Sequence, residues 1–240
     1  MLNAFIAAWN LCVRFPLPAG DRTGRPEPEM RHVLYCLTGV GLLLGAALWL
    51  TARLLLYLVP EPAVGAAVAA IAIPPLYWWI LRGRQVRALI EVADNWPASV
   101  PAAAAKADTS WTPAITMHVA VLLHALGVGL IVAGGIPLWL GVIPLLSFTV
   151  FAEAAGSENG ENGLSERPYH WRVAALAVLL VAGALDRLIA GLFAIVLAWL
   201  FAPLAMRTVA KRTGVPPETQ RWAAVAIIEL VVLWVGVLAL

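Results

Sequence analysis

VLYCLTGVGLLLGAALWLTARLLLYLV, residues 33–59, carries one charge, Arg53, in a run long enough to cross a bilayer. Roughly twenty apolar residues, rising about 1.5 Å each along a helix, cover a hydrocarbon core about 30 Å thick. A soluble chain of this length could bury a core with far fewer. The rest of the sequence has the same character: 62% apolar residues, 12% charged residues and a mean hydropathy of +0.85. Those values lie far outside the averages of water-soluble domains. The expected fold is an all-α polytopic membrane protein, a single integral membrane domain over residues 1–240. No separate soluble domain and no internal repeat stands out.

Pro60, Glu61 and Pro62 turn the chain after the first span, and a second follows at 63–81. Pro74-Pro75 predicts a kink within it. Residues 114–136 and 137–155 form the next two spans, divided by Gly134, Gly135 and Pro137. A short hairpin, 173–185 and 188–206, bends at Asp186-Arg187, and 222–240 closes the set. The count is about seven transmembrane helices, the fifth unusually short. The opening MLNAFIAAWNLCVRFPLPAG lacks the positive start and small-residue cleavage site of a secretory signal. Interrupted by Asn3, Asn10, Arg14, Pro16 and Pro18, it reads as an N-terminal interfacial or re-entrant helix.

Charge bias supports this count independently. With seven spans, the loops near 21–32, 82–112, 156–172 and 207–221 share one side of the membrane with the N-terminus. That side holds fourteen of the sixteen Lys and Arg residues, leaving only Arg53 and Arg187 for the other. The positive-inside rule makes the loaded face cytoplasmic and puts the C-terminus on the opposite side. Eleven of the fourteen acids fall on the loaded face too, so any chemistry is expected there. Cys12 and Cys36 are lone thiols on or near that face, and no disulfide is implied. No nucleic-acid partner is expected; the lipid bilayer is.

The chemistry-bearing stretch is RALIEVADNW, residues 87–96. On a helix, the spacing of three puts Glu91 and Asp94 on one face. Two carboxylates suit Mg²⁺, which binds one or two of them plus substrate phosphates. Asp108 can add a third. Arg82, Arg84 and Arg87 offer planar donors for phosphate oxygens. An interfacial loop whose acids and bases neutralise one another fits the same residues.

Glu229 lies within AAVAIIELVVLW, where a charge is costly and faces the protein interior. A substrate pathway and a packed hydrogen bond to another helix both fit it. Arg53 can snorkel to the helix end. His118 and His124 are six residues apart, about 240° around a helix, and do not form one metal-binding face. Metal cages, nucleophile triads and glycine-rich phosphate loops are absent from the sequence.

Taken in order, these segments resemble the cobalamin synthase family, the integral membrane adenosylcobinamide-GDP ribazoletransferases. VRFPLP at 13–18 is similar to the family's Arg-x-Pro-x-Pro segment, and GVGLLLGA at 39–46 to its glycine-spaced first span. RALIEVADNW falls where the family carries an Asp-Gly-x-x-Asp-x-x-Asp-Gly signature, and KADTS at 106–110 where it carries Lys-Asp-Ser-Arg. PLLSF at 144–148 and NGLSE at 162–166 resemble a Leu-Ser-Arg and a Gly-Leu-Gly element. KRTG with AAVAIIEL, within 211–230, resembles the closing Gly-x-Thr-Gly-Asp-x-x-Gly-Ala helix. The departures fall on the acids. Arg87 and Glu91 stand at the first and second aspartates, Asp94 is kept, and Asn95 replaces the final glycine. Asp108 matches only with a one-residue shift, Ser110 stands at an arginine, Gln220 at an aspartate and Ala223 at a glycine.

The resemblance implies a Mg²⁺-dependent transferase of a bacterial inner membrane. It would join α-ribazole or its 5′-phosphate to adenosylcobinamide-GDP and release GMP. Asp94, Glu91 and Asp108 would be the catalytic set, with Glu91 and Asp94 on the metal. Arg14, Arg82, Arg84, Arg87 and Glu229 would bind a hydrophobic or corrinoid substrate. The alternative is a divergent, non-catalytic relative: a membrane-complex subunit, or a binder of a hydrophobic ligand, alone or as a homo-oligomer. A shared fold does not by itself transfer activity.

Overall fold

A computed structural model describes residues 2–18, 28–96, 112–158 and 168–240. Nine α-helices fall among them: α1 (Leu2–Cys12), α2 (Met30–Leu58), α3 (Pro62–Ile80), α4 (Arg84–Asn95), α5 (Thr112–Ala133), α6 (Val142–Glu158), α7 (Pro168–Ala184), α8 (Leu188–Thr213) and α9 (Pro217–Leu238). A 3₁₀ turn, Pro137–Gly141, leads into α6. The protein is an all-α polytopic membrane protein. Among the described residues, six segments are long and apolar enough to cross a bilayer: α2, α3, α5, the 3₁₀ turn with α6, α8 and α9. The apolar part of α7, Trp171–Ala184, is shorter. It occupies the fifth expected span and packs against α8 and α6.

The bundle is built around α6. Every residue from Val142 to Ala152 is buried, which a helix achieves only when neighbours surround it. Helices α2, α7, α8 and α9 supply those neighbours. Lipid tails are as apolar as leucine, so helices here associate through close packing rather than hydrophobic exclusion. Small residues on α2 permit it: a Cβ on Gly41 would lie 2.6 Å from the Pro144 carbonyl oxygen, and one on Gly45 would overlap the Gly141 carbonyl. Two hydroxyls of α6 bond within their own helix. Ser147 donates to the Ile143 carbonyl and Thr149 to that of Leu145, both at 2.8 Å. Trp139 donates to the Val232 carbonyl at 3.0 Å, with its ring against Gly236.

Two boundaries differ from the sequence reading. Helix α8 continues to Thr213, well into the stretch expected as the basic loop 207–221. AMRTVAKRT is built from good helix formers, and Lys211 and Arg212 complement the helix dipole at its last turn. Gly214, at φ 63°, then ends it. Helix α9 starts at Pro217, because proline suits a first helical position and Glu218 suits a first turn. The second span stays helical through Pro74 and Pro75.

The first helix is too short to span. Its buried stripe, Ala4, Ala8 and Cys12, recurs every four residues, and α1 lies on α2 with the Phe5 ring beside Gly39. The VRFPLP segment folds back over its end. Asn10 both donates to the Leu17 carbonyl (3.1 Å) and accepts from the Leu17 N–H (2.7 Å). Trp9 donates to the Phe15 carbonyl at 2.7 Å.

Candidate functional site

The charged segments meet where α1, the α3–α4 corner, and the first turns of α9 converge. The corner is a Schellman-type end: the Gly83 N–H bonds the Trp78 carbonyl (2.7 Å) and the Arg82 N–H that of Trp79 (3.1 Å). Arg82 takes the left-handed position, φ 60°, where glycine is usual. Its guanidinium turns to α1 and donates to the carbonyls of Val13 (3.1 Å) and Asn10 (3.4 Å). Arg84 donates to the Leu11 carbonyl at 2.7 Å, lies 5.5 Å from the Trp222 ring centre and 3.8 Å from Glu218. Arg14 stacks over Trp79 at 4.9 Å, and its N–H bonds the Ile80 carbonyl. These three arginines fasten the N-terminal segment to the corner.

Helix α4 packs between α9 and α5. Gln85, Ala88 and Val92 form its buried stripe, while Arg87, Asp94 and Asn95 are exposed. Glu91 is half-buried and accepts from the Thr219 hydroxyl at 3.1 Å. Asn95 bonds back to the Glu91 carbonyl at 2.7 Å, which tightens the helix end. The Asp94 carboxylate forms no hydrogen bond or ion pair among the described residues. Asp108 and KADTS lie outside the described residues, as does NGLSE. Among those described, no group of three or more His, Cys, Asp or Glu converges. The donor set described for Mg²⁺ is thus one carboxylate occupied by a threonine and one on an open helix surface. Around such a pair, waters or substrate phosphates would have to supply the remaining Mg²⁺ ligands.

The deepest polar group is Glu229, which is fully buried. Its Oε1 accepts two hydrogen bonds of 2.7 Å, one from the Tyr77 hydroxyl on α3 and one from Gln85 Nε2 on α4. Glu229 Oε2 and Gln85 Oε1 have no partner among the described residues. These two buried oxygens are thus unsatisfied among the described residues. Cys12 lies close to this node, and burial pushes its thiol up to about 12 even though Arg84 and Arg82 pull the other way.

Tyr77, Gln85 and Thr219 were not among the residues expected from the sequence. Tyr77 sits in LYWWIL, at the end of the second expected span. Gln85 had a visible signal, since it falls in register with the apolar stripe of its helix. Neither histidine pairs with the other: exposed His118 bonds the Ala114 carbonyl at 2.6 Å, and buried His124 bonds that of Ala120 at 2.9 Å. Trp78 meets the His124 ring edge-on at 5.0 Å. Arg53 is exposed. No protein-family model, no curated protein and no solved structure matches the chain.

Proposed function

We propose that the protein is a non-catalytic relative of the cobalamin synthase type that binds a hydrophobic ligand bearing hydrogen-bond donors. One observation carries this reading. Two of the arginines offered for a diphosphate substrate, Arg82 and Arg84, are spent inside the protein on main-chain carbonyls of the α1 segment. The acceptors left open, Glu229 Oε2 and Gln85 Oε1, call for N–H or O–H groups rather than for phosphate oxygens. A corrinoid, an apolar macrocycle edged with primary amides, is a ligand of that chemistry and agrees with the family resemblance. The positive-inside bias supports a cytoplasmic orientation for this end of the bundle, and the family resemblance suggests a bacterial inner membrane.

The transferase reading keeps one point in its favour: Asp94 and Arg87 are exposed on α4, with Glu91 half-buried on the same helix. A single preparation separates the two. The protein in nanodiscs is titrated with adenosylcobinamide by absorbance, with and without Mg²⁺, and assayed with adenosylcobinamide-GDP and α-ribazole phosphate. The binder reading expects Mg²⁺-independent binding, weakened about tenfold or more in Glu229→Leu, and no cobalamin. Mg²⁺-dependent product that disappears in Asp94→Asn overturns it in favour of the enzyme. Absence of any corrinoid binding overturns it as well.

A further inference from the structure

At the end of the bundle away from the arginine clasp, the α7–α8 turn and the last turns of α9 enclose an open cleft of about 810 Å³. That is within the range of small-molecule sites, roughly 300–1,000 Å³. Its walls are mostly apolar, with Phe193 and Leu197 from α8 and Val235 and Leu238 from α9, and Asp186 and Arg187 are part of its lining. We propose that this cleft binds a phospholipid whose head group carries a primary ammonium beside its phosphate, as in phosphatidylethanolamine.

Charge complementarity selects this occupant. Arg187 and Asp186 are neighbours in sequence, yet they form no ion pair with each other, and the buried Nε of Arg187 has no partner among the described residues. One cation and one anion are thus presented side by side above an apolar groove. A phosphate fits the guanidinium and an ammonium the carboxylate, while the acyl chain lies along Phe193 and Leu197. A purely anionic head group would meet repulsion from Asp186. A choline head group has no N–H to donate to it.

The turn that holds the pair is fixed. The Arg187 N–H bonds the Ala182 carbonyl at 2.7 Å and the Asp186 N–H that of Gly183 at 3.1 Å. Asp186 occupies the left-handed position of this helix end, φ 54°. Glycine is ordinarily preferred there, and aspartate is among the few other residues that adopt this conformation.

The full-length protein, delipidated in detergent, is titrated with dioleoyl phosphatidylethanolamine, phosphatidylcholine and phosphatidylglycerol and read by native mass spectrometry. Phosphatidylethanolamine is expected to bind at least fivefold more tightly than the other two. Arg187→Gln lowers binding of all three. Asp186→Gly, which relaxes the turn and preserves the fold, abolishes the preference over phosphatidylglycerol. Equal affinities in the unmodified protein, a preference for phosphatidylglycerol, or a preference unchanged in Asp186→Gly overturns the proposal.

Discussion

Replacing Glu229 together with its two donors costs the bundle less than replacing Glu229 alone. The carboxylate is fully buried and takes two hydrogen bonds of 2.7 Å on one oxygen. In Glu229→Met the Tyr77 hydroxyl and the Gln85 amide are stranded in an apolar interior. Each stranded donor costs about 1–3 kcal/mol, so the single change loses about 2–6 kcal/mol. Tyr77→Phe removes one donor and leaves the other, for a loss of about 0.6–1.7 kcal/mol at the scale of interhelical bonds in membranes. The triple variant Tyr77→Phe, Gln85→Met, Glu229→Met has nothing left to satisfy and recovers at least about 1 kcal/mol over Glu229→Met. Reversible unfolding in mixed micelles with increasing dodecyl sulfate measures all three. A triple variant less stable than Glu229→Met, by the sum of the separate losses, refutes the network as described.

Gly41→Ala pushes a Cβ against the Pro144 carbonyl and is expected to destabilise the α2–α6 contact by about 1–3 kcal/mol, read in the same unfolding titration. Arg84→Ala removes the bond to the Leu11 carbonyl, so amide exchange in residues 2–18 should accelerate roughly tenfold, equivalent to about 1.4 kcal/mol, with the rest of the chain unchanged. Cys12 stays unlabelled by maleimide at pH 8 in the folded protein. Its thiol is raised from 9.0 to about 12 by burial, so its contribution to stability is present below pH 9 and is lost as pH climbs toward 12.

How far the sequence could be read depends on which physical signal each feature leaves. Apolar length is strong and local, so the spans emerged within a few residues of the helices. Helix α8 overran its expected end because Lys211 and Arg212 mark charge without marking a break; Gly214 is the actual stop. The role of the arginines left no such trace. Arg82, Arg84 and Arg14 look like phosphate ligands when only side-chain charge is considered. Their partners are backbone carbonyls and two tryptophan rings contributed by distant segments, which no spacing rule encodes. Glu229 was conspicuous as a charge in an apolar helix, but its partners lie 152 and 144 residues away.

The clasp and the buried node answer one mechanical need. Helix α4 has twelve residues, too few to cross a membrane and too few to be stable alone in water. Its position is fixed from two sides: Arg82 and Arg84 tie its beginning to α1, and Gln85 ties its inner face to Glu229 on α9. A slip of one residue turns a helix by about 100°, so only one rotation of α9 lets Glu229 reach both Tyr77 and Gln85. The costly carboxylate therefore sets the register of three helices in a bundle whose apolar surfaces discriminate poorly among alternatives. With α4 held this way, Arg87 and Asp94 are displayed at a fixed place on the charged end rather than on a wandering loop.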